Sequence, residues 1–291
     1  MRCVALLLCL PWWCEAQIQI DHVSIAGRAT AGMRARLAAI GIASEPGGRH
    51  TNHATEMEMV SFPDGSYLEL IGIQPEPDAA ALAAHPWSAL MQQDAGPAAW
   101  AARVKNFGAE VARLRGAGVA VQLDPRSGRE RADGVRLDWQ TAHLSLQAPD
   151  RVFPFLIQDF TPRPRRAFPS GHATTKDFEG IRYVVIAVRD LKQGIEHYHT
   201  AFGVPPPIKQ VDAEFGAQLA LLGDVPVILA APISAESPLQ ARLETAGEGP
   251  VAIILTGRGT PKFKGLTKAR WFGKDVSWFD SKALGWRLGF E

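Results

Sequence analysis

The sequence predicts an α+β protein of paired βαβββ modules whose strands form curved mixed sheets. Three observations predict it. The order strand, helix, strands begins afresh at Ile18, in AAWAARV, in RYVVIAVRDL and at Ser237. An Asp-Gly turn at Pro63-Asp64-Gly65 joins the alternating runs EMEMVSF and YLELIGI, a strong hairpin signal. Gly41 and Gly203 follow the first helices of the two halves, where a left-handed residue ends a helix.

The elements follow in order. Ile18, Ile20, Val23 and Ile25 mark a first strand with His22 embedded in it. Thr30 caps a helix whose face carries Met33, Leu37 and Ile40. A polar glycine-rich stretch, GGRHTNHAT, leads into the hairpin. Residues 74–97 are rich in Pro and Ala, with a short helix expected around Trp87 to Met91, and read as a connection able to cover a pocket mouth. The second round is AAWAARV, an amphipathic helix from Phe107 to Arg115, and the strands VAVQL, GVRLDWQTAHL and FPFLIQDF. Residues 161–176, TPRPRRAFPSGHATTK, have no period and read as a solvated linker. A third round has Ile195, Tyr198 and Phe202 on its helix, and a fourth has Leu239 and Leu243.

Composition narrows the function classes. The chain has 291 residues, 46% hydrophobic and 21% charged, enough for two sizeable cores. A net charge of +1 gives no global attraction to nucleic acid or anionic membrane. Met1-Arg2, the apolar run Val4 to Trp13 and the small residues up to Ala16 have the layout of a signal peptide, too short to span a bilayer. Export to the periplasm or the medium is therefore expected. All three cysteines, Cys3, Cys9 and Cys14, fall in that segment, which leaves a mature chain without thiolate chemistry. There is no phosphate-binding glycine loop, and Gly65-Ser66 lacks the flanks of a hydrolase nucleophile. The basic and aromatic stretch from Arg258 to Lys274 reads as a solvated hairpin, since no nucleic-acid motif accompanies it. His197 and His199 lie on a helix and read as surface residues.

The openings IDHVSIAG and RYVVIAVRDL, the hairpin SFPDGSYLELIGI, and GPAAWAARV, GVRLDWQTA and FPFLIQDF resemble the glyoxalase-like, or vicinal oxygen chelate, superfamily. With the signal peptide at 1–16 and the linker at 162–176 read from the residues, the resemblance implies a glyoxalase-like domain at 17–161 and a degenerate second domain at 177–291. It implies a cup in the first domain that takes a small oxygen-rich molecule, and in many members one divalent metal. His22 and Glu69 match the first module's metal-ligand positions, and strand alternation turns both inward. The second module departs from the pattern, with Trp100 and Ala102 in its first strand and Gln158, beside Asp159, in its last. His50 or His53 could complete a metal site, with zinc, iron, manganese and nickel not distinguished. Glu69 or His53 is the candidate proton carrier. Arg49, Asn52, Trp100, Trp139 and Gln158 are candidate substrate contacts. In the second domain Tyr183 stands at the histidine position and Leu229 at the acid position. Two functions stay open: metal-assisted lyase, isomerase or dioxygenase chemistry, and metal-free binding of a small molecule, the latter with a hydrogen-bonded His22–Glu69 pair. An interaction module without an enclosed pocket is a third. Neither nucleic acid nor integral membrane is an expected partner, and the chain is expected as a monomer or homodimer.

Overall fold

A computed structural model describes residues 18–131, 133–146, 151–258 and 263–291. The expected signal segment and its cysteines lie outside the described residues. The first half runs β1 (Gln19–Ala26), α1 (Thr30–Ala39), β2 (Glu45–His50), β3 (Thr55–Ser61), β4 (Tyr67–Ile73), α2 (Ala79–Ala84), α3 (Ser88–Gln92) and β5 (Gly96–Arg103). It continues through α4 (Phe107–Gly116), β6 (Ala120–Leu123), β7 (Ser127–Glu130), β8 (Arg136–Ser145) and β9 (Phe155–Asp159). These strands form one sheet in the order β6-β8-β7-β2-β3-β4-β1-β5-β9. Strand β9 also pairs with β8, so the sheet curls until it closes on itself.

After α5 (Arg163–Ala167) the second half runs β10 (Phe178–Ala187), α6 (Leu191–Phe202), β11 (Ile208–Asp212), β12 (Ala217–Leu222), β13 (Val227–Pro232) and α7 (Pro238–Ala246). Then come β14 (Gly249–Gly257), β15 (Thr267–Trp271), β16 (Lys274–Trp278), α8 (Ser281–Leu284) and β17 (Arg287–Phe290). Its sheet stays open, in the order β11-β12-β13-β10-β14-β17-β16-β15. The central pairings repeat: β1 is parallel to β4 and antiparallel to β5, as β10 is to β13 and β14. The protein is α+β, with two curved mixed sheets built on one repeated plan.

A backbone irregularity decides which side chains face the cup. Ile18, Ile20, Val23 and Ile25 all enter the core, although strict alternation cannot carry both pairs to one face. A bulge between Ile20 and His22 resolves the conflict by setting an extra residue against β5. Asp21 and His22 are thereby turned away from the core, together with Ser24. The second sheet has the same bulge between Ile181 and Tyr183.

The convex faces of the sheets share one core. Val23 and Trp100 from the first sheet and Val184 and Ile253 from the second join it, with Leu37 of α1, Leu114 of α4 and Tyr198 of α6. The concave face of the second sheet is filled instead. Phe215, Trp271 and Trp278 pack there with ring centroids 5.1 to 6.0 Å apart.

Several expectations are corrected. The glycine-rich stretch contributes β2, because Gly47 and Gly48 let it pass close to its neighbours. The second round has four strands after its helix, with β7 added to pair with β2. Residues 161–176 do not form a solvated tether: Arg166 is 1% exposed and buried in an ion-pair cluster, and Thr174 bonds Ser61. Ile228, not Leu229, takes the acid position, since it lies two residues past the bulge level on the concave face while Leu229 enters the shared core. The Arg258 to Lys274 stretch contributes β15, which forms a hairpin with β16, and its Trp271 is buried.

Candidate functional site

The first sheet encloses a cavity of about 200 Å³. Its floor is set by β1 and β4. His22 Nδ1 lies 2.7 Å from Asp21 Oδ1, and the His22 ring stacks on Tyr67 at 4.7 Å. Burial alone would raise the Asp21 carboxyl, yet Arg166 and the His22 hydrogen bond hold it well below the usual carboxylate range. Asp21 is thus an acceptor, and His22 Nδ1 carries the proton between them. The other ring nitrogen, Nε2, lies 3.6 Å from Glu69 Oε2. His50 of β2 mirrors this: Nδ1 sits 2.8 Å from Thr55 Oγ1 and Nε2 lies 3.5 Å from Glu69 Oε1. Ser24 donates to the same carboxylate. Burial works against charge on Glu69, but His50, His22 and Ser24 outweigh it and bring its pKa down to about 2. Glu69 is therefore a fixed anion between two imidazoles, too weak a base to abstract protons efficiently near neutrality.

The wall is mixed. Met57, Ile71, Trp87, Trp139, Phe155 and Ile157 give it apolar surface. Asn52, Ser127, Thr141, His85, His143 and Arg129 bring polar groups to it. Burial, and after it the neighbouring His50, pushes His85 down to about 4. Beyond Trp87, His143 and Phe155 the cavity meets an outer cleft of about 1000 Å³. Below the floor, Arg166 bonds Asp21, Asp159 and Tyr67, and Arg163 adds a second ion pair to Asp21. The segment between the sheets therefore braces the residue that orients His22.

The structure brings His22, Glu69, His50, Asn52 and Trp139 to one cavity. His22 and Glu69 stand side by side on neighbouring strands rather than across the cup. The remaining candidates lie elsewhere. Trp100 is 0% exposed and pairs with Val23 on the core side, so it cannot stack a ligand. Gln158 pairs with Gln140 on the outer face and is exposed, while Phe155, Ile157 and Asp159 turn inward. Arg49 points outward toward Glu56, and His53 sits exposed in a left-handed turn outside the cavity lining. His85, His143, Arg129, Ser24 and the Asp21–Arg166 pair escaped the sequence reading. Only Asp21 left a trace there, as the phase break in the apolar spacing of β1.

A model of the glyoxalase-like domain matches residues 20–181, more than half of the chain. The chain belongs to the glyoxalase-like domain family. A hypothetical protein from Staphylococcus aureus is similar in fold, with a TM-score of 0.65 at 13% identity, over 94% of this chain and 99% of that one. Methylmalonyl-CoA epimerase from Mycobacterium tuberculosis matches at 22% identity over 40% of this chain and 89% of its own, with a TM-score of 0.36. No curated protein matches the chain.

The glyoxalase-like cup permits a test of the metal that the superfamily resemblance implies. Such a site draws two ligands from each module. Pairing registers place Ala101 of β5 opposite Phe155 of β9, as His22 lies opposite Tyr67, so Ala101 and Ile157 occupy the places of His22 and Glu69. Neither offers a donor. Among the described residues no three His, Asp or Glu side chains form a metal-holding group. The four-ligand site does not fit these residues.

Proposed function

We propose that the cup of the first sheet binds a small oxygen-rich molecule, with His22 and His50 holding or exchanging a proton with it and Glu69 aligning both rings. One observation carries the reading. Two imidazoles with Nδ1 tied off present Nε2 to the same buried carboxylate inside one cavity. In its neutral form His22 Nε2 bears a lone pair, and it faces an anion across a gap longer than a hydrogen bond. A proton on Nε2 closes that gap, and a ligand hydroxyl can donate to either acceptor from beside it. Family membership supports the small-molecule assignment, and the apolar wall beside polar groups suits a compact ligand. Export of the mature chain from Gln17 belongs to the same proposal and rests on the N-terminal sequence alone.

The test is Glu69→Gln, read by nitrogen NMR of labelled histidines and by metal analysis after supplementation with zinc, manganese, iron and nickel. The expected result is that the ring-nitrogen signals of His22 and His50 move together in the variant, while the parent protein takes up no stoichiometric metal. Unaltered ring-nitrogen signals would refute the shared alignment. Stoichiometric metal that is lost in the variant would replace this reading with the metal-assisted one.

A further inference from the structure

Arg129 differs from the other arginine of the cup. Both are 1% exposed. Arg166 is neutralised by Asp21 and Asp159. Arg129 has only neutral partners: its Nη1 donates to the Gly47 carbonyl, and its Nη2 lies 3.0 Å from the Arg166 carbonyl and 3.4 Å from Met59 Sδ. Among the described residues no carboxylate lies within ion-pair distance of it. A guanidinium has five donors, and these three acceptors do not use them all. Burying a charge without a counter-ion is costly, which burial registers by lowering Arg129 to about 10.

The placement of Arg129 gives that cost a purpose. Its pairing with His50 across β2 and β7 puts both side chains on the concave face, and Arg129 lines the cavity. The same lining supplies His85, His143, Asn52, Ser127 and Thr141. The carboxylate in that lining, Glu69, is already engaged by Ser24 and the two imidazoles. Arg166 in the same lining has its carboxylates and Arg129 has none, so an anionic ligand complements Arg129.

We propose that the molecule taken by the cup is a small carboxylate whose anionic group pairs with Arg129, its apolar part lying against Trp87, Trp139 and Phe155. This rests on the small-molecule reading given above and deepens it. The carboxylate supplies Arg129 with its missing counter-ion, and a hydroxyl on the same molecule donates to His22 Nε2 or to Glu69 from the cavity side.

Mandelate, mandelamide and phenylacetate are suitable probes, because they share the aromatic part and differ in charge or hydroxyl. Binding is measured by calorimetry at millimolar concentration and located by chemical-shift changes. Mandelate should bind in the cup at least about tenfold more tightly than mandelamide, in keeping with a charge-assisted pair. Arg129→Met should abolish that preference, and Arg129→Lys should keep part of it. Thermal unfolding of both variants separates lost binding from lost fold. If Arg129→Met does not fold, the ranking in Arg129→Lys and the parent protein decides. Equal binding of mandelate and mandelamide in the cup would overturn the carboxylate assignment and leave the cup reading intact. So would a preference that survives Arg129→Met. Failure of all three probes to reach the cup would overturn both.

Discussion

Glu69 and His85 make the cup sensitive to acid for opposite reasons. Glu69 is an anion stabilised by its neighbours, with its pKa lowered from 4.5 to about 2. Its contribution to stability, about 3 kcal/mol, is complete above pH 4.5 and is lost as the pH falls toward 2. His85 is held neutral, from 6.5 down to about 4, chiefly by burial. Unfolding lets it bind a proton earlier, so it favours the unfolded chain as the pH falls from 6.5 toward 4. Stability should therefore decline in two stages below neutrality, and Glu69→Gln should flatten the lower one. Proton NMR should find the His85 midpoint well below 6. A midpoint near 6.5 would show that the ring is solvated. The sequence displayed the inward histidine and acid because Val23 and Ile25 beyond the bulge, and Leu68 and Leu70, mark the opposite face. Trp100 was placed wrongly because GPAAWAAR is buried on both faces and has no polar phase to count from. Gln158 was placed wrongly because an inward wall was expected to be polar, whereas β9 presents Phe155 and Ile157. Arg129 went unnoticed and Arg166 read as part of a solvated linker, because a lone arginine does not show the partners that bury it.

Among the elements, the seam between β2 and β7 joins the two modules into one closed sheet. Gly48 makes that seam possible. It has φ of 108°, sits at a bulge of β2, and a methyl group there would run into the Glu130 carbonyl. Gly48→Ala combines backbone strain with a clash against main chain, which cannot move aside as a side chain can. It should cost at least about 2 kcal/mol, read as a lower denaturation midpoint. Faster amide exchange in β2 and β7 than in β10 and β14 should accompany the loss. A variant as stable as the parent would mean that the seam relaxes freely. The hairpin from β3 to β4 and the helices α1, α4, α6 and α7 were legible from turn chemistry and apolar spacing. Strand β7 was not, because SGRE has no apolar pattern and owes its pairing to β2 and β8. Helix α2 was missed as well, since an alanine run carries no face.

At the scale of the whole molecule, the repeated plan was readable and the joint between the halves was not. The sequence suggested two cores and a tether. The convex faces instead share one core, and Arg113 donates to the Ala201 carbonyl, Tyr198 to Val152 and Arg151 to Ala246 across the joint. Heat should unfold the protein in a single transition, with calorimetric and van't Hoff enthalpies equal. Cleavage within residues 162–176 should not release two stable fragments. Two resolved transitions, or two protease-resistant halves, would show that the shared core contributes little. The bulge of β1 has a consequence for protein engineering. Its counterpart in β10 aims Arg182 and Tyr183 as the first aims Asp21 and His22, and Val185 and Ile228 stand in register like Ser24 and Glu69. The backbone of a second receptor is thus already built into the chain. What blocks it is volume, and a designer would begin by whittling down Phe215, Trp271 and Trp278 before grafting any polar group.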